Sequence, residues 1–321
     1  MTPSSPTPST SATASTTTIT VVADEFGRDL DAAYASIARI VAEARDRGTD
    51  LLVLPEACLG GYLPSLGSVH DDEETRARRR RDLPPAFALD GPEVARVARL
   101  AGEMTVLLGL CEGAQEGGAE VRYNTAVALT GDGVLAAHRK VHQPLGENLS
   151  YAAATGPTAF EAFDSPVGRL GMLICYDKAF PEAARTLALD GAEIIAALSA
   201  WPTARTAAAD RIEDDRWKKR FDLYDAARAL DNQVVWAASN QTGTFGSLRF
   251  VGNAKVVGPG GDVRAETGVA GGLATVSLDV HPELAAVRQG MFAQRARRPD
   301  AYRLDAVLPD YPAERPEPAY A

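Results

Sequence analysis

The chain is short of cysteine, of long apolar runs and of net positive charge, and each shortage excludes a class of protein. Only 3 of its 321 residues are cysteine, which excludes a disulfide-stapled scaffold and predicts a reducing, cytoplasmic location. No run approaches the roughly 18 apolar residues of a membrane span, so we expect no membrane anchor. The net charge of −10 argues against nucleic acid and anionic membranes as partners.

One basic cluster, Arg78–Arg81, interrupts this acidic composition. Acidic residues at 71–74 precede it and Asp82 follows, so we interpret it as a solvated, ion-paired surface. Residues 1–18 are almost entirely Ser, Thr, Pro and Ala, without the basic start and apolar centre of a signal peptide. We interpret them as a disordered tail.

From residue 19 to residue 280, apolar runs alternate with amphipathic segments, which predicts one α/β domain. The predicted strands are 18–23, 51–54, 105–110, a run from 133, 170–174, 193–198, 232–238 and 254–257. The predicted helices are 30–47, with an apolar face of Ile37, Ile40, Val41 and Ala44, then 93–102, 181–190, and 214–231, with Trp217, Phe221, Tyr224 and Ala227 on one face.

Residues 281–321 lose this periodicity and contain six prolines. Such a segment packs poorly by itself. We interpret it as an extension at a subunit interface, and a loose tail is the alternative.

Cys175 stands at the end of the buried strand 170–174, ahead of a helix that opens on Pro181. Backbone N–H groups at such a strand-to-helix elbow lower the pKa of a thiol and can donate to a developing oxyanion. A lone cysteine is by itself more often a small buried hydrophobe, which is how we interpret Cys58 and Cys111. The nature of Cys175 therefore depends on what else the chain provides.

Two other polar residues also stand at strand ends. Glu56 follows the apolar run 51–54 and Pro55, where it is either a cap or a base that faces a pocket. Lys140 ends the strand that begins at residue 133, and a lone lysine there would usually be a solvated charge. Neither residue is informative alone.

Taken together, Glu56, Lys140 and Cys175 occur in that order in the contexts LPE, HRKVH and ICYD. This pattern resembles the nitrilase superfamily of carbon–nitrogen hydrolases, whose members carry a Glu–Lys–Cys triad in these contexts. The resemblance covers residues 20–281. It implies a four-layer α-β-β-α sandwich and a cysteine hydrolase that needs no cofactor and no metal.

The resemblance also implies a role for each residue of the triad. Cys175 would attack the carbonyl carbon and form a thioester, and Glu56 would take the thiol proton and pass it to the leaving nitrogen. Lys140 would stabilise the oxyanion, helped by the backbone N–H of Tyr176. Glu147 matches the place of a second active-site glutamate in the family, where it would orient the substrate.

The surrounding residues suggest less direct roles. Trp201 is expected to form an apolar wall of the pocket, and Asp177 to brace the elbow. His138 and His142 flank Lys140 but have no obvious partners for a metal site, and a Cys–His hydrolase that uses His142 is the alternative on spacing.

The expected reaction is hydrolysis of a small amide or N-carbamoyl compound. Nitrilases commonly follow the nucleophile with Trp-Glu-Asn, whereas Tyr-Asp-Lys follows Cys175 here, as in the amidase and carbamoylase branches. A nitrilase, an amide-forming acyl transferase and a non-catalytic scaffold are the alternatives. Relatives use their C-terminal extensions between subunits, which predicts a homodimer or a larger homo-oligomer.

Overall fold

Three β-sheets, one of them only a two-stranded hairpin, and six α-helices lie within the part of the chain that the computed structural model describes, residues 16–66 and 73–304. The strands are β1 (Thr17–Asp24), β2 (Leu51–Val53), β3 (Thr105–Glu116), β4 (Ala119–Thr130), β5 (Gly133–Arg139), β6 (Phe163–Ser165), β7 (Gly168–Ile174), β8 (Ile194–Leu198), β9 (Val235–Ala238), β10 (Asn240–Gln241), β11 (Thr244–Phe245), β12 (Leu248–Arg249), β13 (Lys255–Val257), β14 (Val263–Glu266) and β15 (Gly272–Leu278). The helices are α1 (Leu30–Asp46), α2 (Glu73–Asp82), α3 (Pro92–Ala101), α4 (Pro181–Leu189), α5 (Arg216–Asn232) and α6 (Val280–Gly290).

The first sheet has the order β10-β1-β2-β3-β4-β5, and β15 also pairs with β1. Strands β1, β2 and β3 are parallel, whereas β4 and β5 continue the sheet as antiparallel hairpins. Two antiparallel steps make β5 run in the same direction as β3. The segments that follow β2 and β5, which carry Glu56 and Lys140, therefore leave the same end of the sheet.

The second sheet has the order β14-β13-β9-β8-β7-β6, with β7, β8 and β9 parallel at its centre. These three strands are buried along their whole length, or nearly so, and are rich in apolar residues, as expected for strands that are covered on both faces. Cys175 directly follows β7, and residues 199–201 follow the neighbouring strand β8.

Apolar contacts divide the molecule into four layers. One core includes residues of both sheets together with the buried faces of α4, α5 and α6. A second core joins the first sheet to α1 and α3. The layers are therefore helix, sheet, sheet and helix, as the family resemblance implied.

Local sequence explains where the helices begin. Asp29 and Asp215 cap α1 and α5, each by accepting a backbone N–H of the first turn. Proline occupies the first position of α3 and α4, where a missing N–H costs nothing. The four apolar residues predicted for the buried face of α1 are all buried.

The buried face of α5 differs from the sequence prediction. Phe221 is buried as expected, but Asp225 and Arg228 are also buried, while Tyr224 and Ala227 lie half-exposed. Hydrophobic periodicity cannot place a charged residue inside. Asp225 is buried here because two lysines lie within hydrogen-bonding distance of its carboxylate.

The prediction that residues 281–321 lack periodicity was wrong over its first ten residues, 281–290. Helix α6 spans Val280–Gly290, and Val280 and Leu284 pack into the core at helical spacing. Pro282 lies in the first turn, where proline is tolerated. Residues 1–15 of the predicted tail and residues 305–321 of the extension lie outside the described residues. The prediction of a tail as far as residue 18 was wrong at its end, because β1 begins at Thr17.

Two further observations concern the surface. In α2, Arg80 forms an exposed ion pair with Glu73 at 2.7 Å, in agreement with a solvated, ion-paired segment. Among the described residues, none of the helices is both long and apolar enough to cross a bilayer.

Candidate active site

Glu56 is held at the end of β2 by its backbone and by its side chain. Pro55 has no N–H to extend the ladder, and the main chain at Glu56 then lies directly against Gly109 of β3. A Cβ built on Gly109 would lie 2.7 Å from Glu56 Cα and closer still to the Ala57 nitrogen. The Ala200 N–H donates to Glu56 Oε2 at 2.6 Å, so this carboxylate bridges the two sheets.

Lys140 is fully buried between two glutamates. Its Nζ lies 2.8 Å from Glu56 Oε1 and 2.7 Å from Glu147 Oε2. Burial disfavours the Lys140 ammonium, but the charges of Glu147 and Glu56 outweigh burial and raise its pKa above the usual range. The ammonium uses two of its three hydrogens on these carboxylates, which leaves one for a substrate.

Glu147 begins a short 3-10 turn and is also fully buried. Gly146 before it has φ +97°, and a Cβ there would lie 2.6 Å from the carbonyl carbon of Leu66, so only glycine fits this approach. Burial raises the pKa of Glu147, and the Glu56 charge adds to the shift against the opposing effect of Lys140. The structure thus brings three of the predicted residues, Glu56, Lys140 and Glu147, into direct contact.

Sequence reasoning missed Asn124, which completes this cluster from β4. Its Nδ2 donates to Glu56 Oε1 at 2.7 Å and to Glu147 Oε1 at 2.6 Å. Its backbone carbonyl also accepts the N–H of Lys140 at 2.8 Å. The sequence gives no diagnostic signal, because Asn124 is one of several polar residues in β4.

Cys175 lies at the predicted elbow, where β7 passes into a 3-10 turn over Cys175–Ala179 before α4 begins at Pro181. Its φ of +50° is in the left-handed region that residues with a Cβ rarely adopt, and such strain is concentrated at functional sites. The thiol is buried, and the charges of Glu56 and Lys140 both act on it.

The expectation of a lowered thiol pKa was wrong. Burial raises the pKa of Cys175 well above its usual range, and the Glu56 charge adds to this against Lys140. The elbow removes the sulfur from water, and a thiolate beside an ionised carboxylate is costly. The resting group is therefore a neutral thiol, which can attack only if a base removes its proton.

Asp177 connects the elbow to the segment that carries Lys140. Its carboxylate accepts the backbone N–H groups of Ile174 and His142, together with ring nitrogens of His138 and His142, at 2.8–3.1 Å. Burial opposes ionisation, but the hydrogen bonds from His138 and His142 hold the pKa of Asp177 well below its usual range. Asp177 thus braces the elbow, and the two histidines face this carboxylate.

Metal ligands are not grouped at this position. Within residues 16–66 and 73–304, no three His, Cys, Asp or Glu side chains are arranged to hold a metal ion. The cysteines Cys58, Cys111 and Cys175 are all free and buried. Cys58 packs in the core between the first sheet and its helices.

Tyr176 and Trp201, the predicted oxyanion and pocket-wall residues, lie in different environments. Tyr176 is half-buried in the turn after the nucleophile, with its ring edge-on to Phe180 at 5.2 Å between centroids. Trp201 is buried after β8, and its backbone N–H donates to Asn240 Oδ1 at 2.7 Å. Its ring packs against Phe221 of α5.

A second buried ionic cluster lies behind Trp201 and was not predicted. Lys178 and Lys255 both contact the Asp225 carboxylate, at 2.7 and 3.1 Å, and their ammonium groups lie 3.2 and 4.2 Å from the Phe221 ring centroid. Burial lowers the pKa of Lys178 to about 8, although Asp225 opposes the shift. The cluster ties the turn after Cys175 to α5.

Comparison with known proteins identifies the family. The model of the carbon-nitrogen hydrolase family matches residues 18–287. The chain belongs to the carbon-nitrogen hydrolase family. A hydrolase encoded in the pqqF 5' region of Pseudomonas protegens is 32% identical, with 82% of each chain covered. The N-carbamoylputrescine amidase of Solanum lycopersicum is 27% identical over 90% of this chain and 95% of its own.

Solved structures of the superfamily share the fold. A carbon-nitrogen hydrolase from Helicobacter pylori has a TM-score of 0.72 and 23% identity, covering 89% of this chain and 97% of its own. A mutant of the amidase from Nesterenkonia AN1 has a TM-score of 0.63 and 25% identity, covering 86% of this chain and 95% of its own. This carbon-nitrogen hydrolase is therefore an enzyme that acts on C–N bonds, on a nitrilase-superfamily fold.

Proposed function

We propose that this enzyme hydrolyses the C–N bond of a small amide or N-carbamoyl compound through a thioester on Cys175. The observation that carries the proposal is the contact of one buried ammonium, Lys140, with two buried carboxylates beside a strained cysteine elbow. Such a cluster provides a nucleophile, a base and an oxyanion donor together.

Acylation begins with the neutral thiol. Glu56 takes the proton from Cys175 as Sγ attacks the carbonyl carbon, so the thiolate never has to exist alone in the buried site. The tetrahedral oxyanion is stabilised by the remaining N–H of Lys140 and by the backbone N–H of Tyr176. Glu56 then delivers its proton to the nitrogen, the C–N bond breaks, and ammonia or an amine leaves.

Deacylation reuses the same base. Glu56 removes a proton from water, which attacks the thioester, and the acid leaves as the proton returns to the sulfur of Cys175. Glu147 keeps Lys140 in place and orients the substrate nitrogen. Acylation requires Glu56 because no preformed thiolate is available, and deacylation requires it again to activate water.

The preference for amides and N-carbamoyl compounds rests on two observations. Tyr-Asp-Lys follows Cys175 in place of the Trp-Glu-Asn that nitrilases commonly carry, and Trp201 is buried beside the turn, where it would limit bulky acyl groups. Relatives named N-carbamoylputrescine amidase match 84% to 90% of the chain. A nitrilase is the second candidate, since a nitrilase of Pyrococcus abyssi is 29% identical over 77% of the chain.

The test is a screen of small amides, ureido acids and matched nitriles with detection of released ammonia. Cys175→Ala serves as the control. We expect turnover of at least one amide or ureido compound by the wild-type chain, and none by the variant. Turnover that survives in Cys175→Ala would refute the proposed nucleophile, and product amides formed from added amines would favour acyl transfer.

We further propose that the enzyme assembles as a homodimer or larger homo-oligomer. Three leucines on the outer helices are unusually exposed, namely Leu189, Leu223 and Leu230 at 50%, 65% and 54%. Leu223 and Leu230 are seven residues apart on α5 and share one face. Light scattering should show an oligomer in the wild type and a smaller species in Leu223→Asp; a wild-type monomer at micromolar concentration would refute this.

We also propose a cytoplasmic location. A nucleophilic thiol functions only while it is reduced, and all three cysteines are free, which suits a reducing compartment.

A further inference from the structure

Asn124 contacts Glu56, Glu147 and Lys140, yet the proposed reaction gives it no role. The side chain is buried, and one nitrogen, Nδ2, donates to Glu56 Oε1 at 2.7 Å and to Glu147 Oε1 at 2.6 Å. Its backbone carbonyl accepts the Lys140 N–H. A neutral side chain therefore contacts both carboxylates, and its backbone fixes the lysine between them.

The chemistry of these contacts sets the orientation of the amide. An ionised carboxylate can only accept hydrogen bonds, so the NH2 group of Asn124 must face Glu56 and Glu147 and uses both of its hydrogens. Asn124 Oδ1 is buried and has no partner among the described residues. Rotating the amide would place this oxygen against two carboxylates and lose both bonds. The hydrogen bonds to both carboxylates therefore require this orientation of the Asn124 side-chain amide.

The effect on Glu56 follows from how its two oxygens are used. Oε1 accepts from Lys140 and Asn124, and Oε2 accepts from the Ala200 N–H. A carboxylate held at both oxygens cannot rotate without breaking a bond. Hydrogen-bond donors next to a carboxylate also favour its ionised form over its protonated form. Asn124 supplies such a donor without adding a second positive charge next to Lys140.

Building on the proposed function, we propose that Asn124 is a positioning residue that keeps the Glu56 carboxylate ionised and aimed at the Cys175 thiol. It acts on the reaction through Glu56. Without it, the Glu56 carboxylate would lose a donor to its charged form and be free to turn away from the sulfur, while the substrate would still bind.

The experiment compares Asn124→Leu, which removes both donors at similar volume, with wild type. The first readout is the pH dependence of Cys175 alkylation by iodoacetamide, followed by peptide mass spectrometry, which needs no substrate. We expect the acid limb of this pH profile to move to higher pH in Asn124→Leu, because the Glu56 carboxylate loses a donor to its charged form. In turnover, kcat should fall roughly 10- to 100-fold with KM within about threefold, as for loss of a hydrogen bond to a charged group.

Two variants separate positioning from general structural damage. Thr125→Val removes a buried hydrogen bond to Glu112 from the next residue of β4, and its acid limb should match wild type. Asn124→Asp keeps the shape but adds a charge beside two carboxylates, so its acid limb should move further than that of Asn124→Leu. If Asn124→Leu does not fold, the acid limb of Asn124→Asp tests the inference instead.

The inference would be overturned if the acid limb of Asn124→Leu or Asn124→Asp coincides with that of wild type. It would also be overturned if the acid limb of Thr125→Val moves by the same amount. The alkylation result stands apart from the choice of substrate. If no amide is turned over while the acid limb still moves as expected, the proposed function fails and the role of Asn124 stands.

Discussion

Lys140 Nζ lies 2.8 Å from Glu56 Oε1, and neither side chain is exposed to solvent. The same nitrogen lies 2.7 Å from Glu147 Oε2, also without exposure. One buried cation thus lies between two buried carboxylates, so a substitution at any one of the three groups changes the electrostatic environment of the other two. This coupling determines what substitutions at the site should do.

Glu56→Gln should fold normally yet lose nearly all turnover, because an amide cannot accept the thiol proton. Loss of a general base typically costs roughly 10²- to 10⁴-fold. Steady-state ammonia release measures the loss, and circular dichroism checks the fold. Turnover within tenfold of wild type would mean that another group removes the proton.

Lys140→Ala should reduce turnover roughly 10²- to 10³-fold, as for removal of an oxyanion donor. It should also lower the free energy of unfolding by about 3–5 kcal/mol, since two buried carboxylates lose their cation. Denaturant unfolding and turnover are the measurements. The double variant Lys140→Ala with Glu147→Gln should regain stability but not activity. Near wild-type rates in Lys140→Ala would exclude the oxyanion role.

Gly109→Ala should damage the site although the residue has no side chain to lose. The new Cβ would lie 2.7 Å from Glu56 Cα, so Glu56 has to move. We expect a destabilisation of about 1–3 kcal/mol with a clear loss of kcat. Gly113→Ala on the same strand is the control, since its Cβ would meet only Ala86 Cβ at 3.2 Å. Equal kcat in the two variants would contradict the prediction.

Amides or N-carbamoyl compounds should be turned over in preference to matched nitriles. The residues after Cys175 shape the floor of the pocket, and single contacts there are worth roughly 1–3 kcal/mol in specificity. The measurement is kcat/KM for an amide, a ureido compound and a nitrile that share one acyl group. A nitrile preferred tenfold or more would overturn this prediction and leave the triad intact.

Stability should fall at alkaline pH because the fold buries neutral thiols. Burial raises the pKa of Cys58 to about 12 from 9.0, so the unfolded chain releases this proton first as pH rises. The free energy of unfolding is unaffected below pH 9 and then falls, by about 1.4 kcal/mol per pH unit for each such group. Cys58→Ala should show a shallower fall between pH 9 and pH 12 in denaturant titrations. If Cys58→Ala leaves the slope of the unfolding free energy against pH unchanged, the buried Cys58 thiol is not a cause of the alkaline loss of stability.

The elements that the sequence predicted correctly are those in which apolar residues repeat with a clear period. The apolar residues of α1 repeat at helical spacing, and Pro181 opens α4 as expected. By contrast, α6 was missed because Pro282 lies within it and because only Val280 and Leu284 are buried at helical spacing. The buried face of α5 was also misjudged, since Asp225 is buried only because lysines from distant segments reach it.

The sequence by itself determined the order Glu56, Lys140, Cys175, each at a strand end, because apolar runs, proline and short polar contexts are local features. Only the tertiary structure decided that Asn124 joins Glu56 to Glu147, residues 68 and 23 positions away from it. It also decided that Cys175 rests as a neutral thiol, against the local expectation of an activated one. Desolvation and through-space charge depend on which segments pack together, and neither is encoded within a single stretch of the chain.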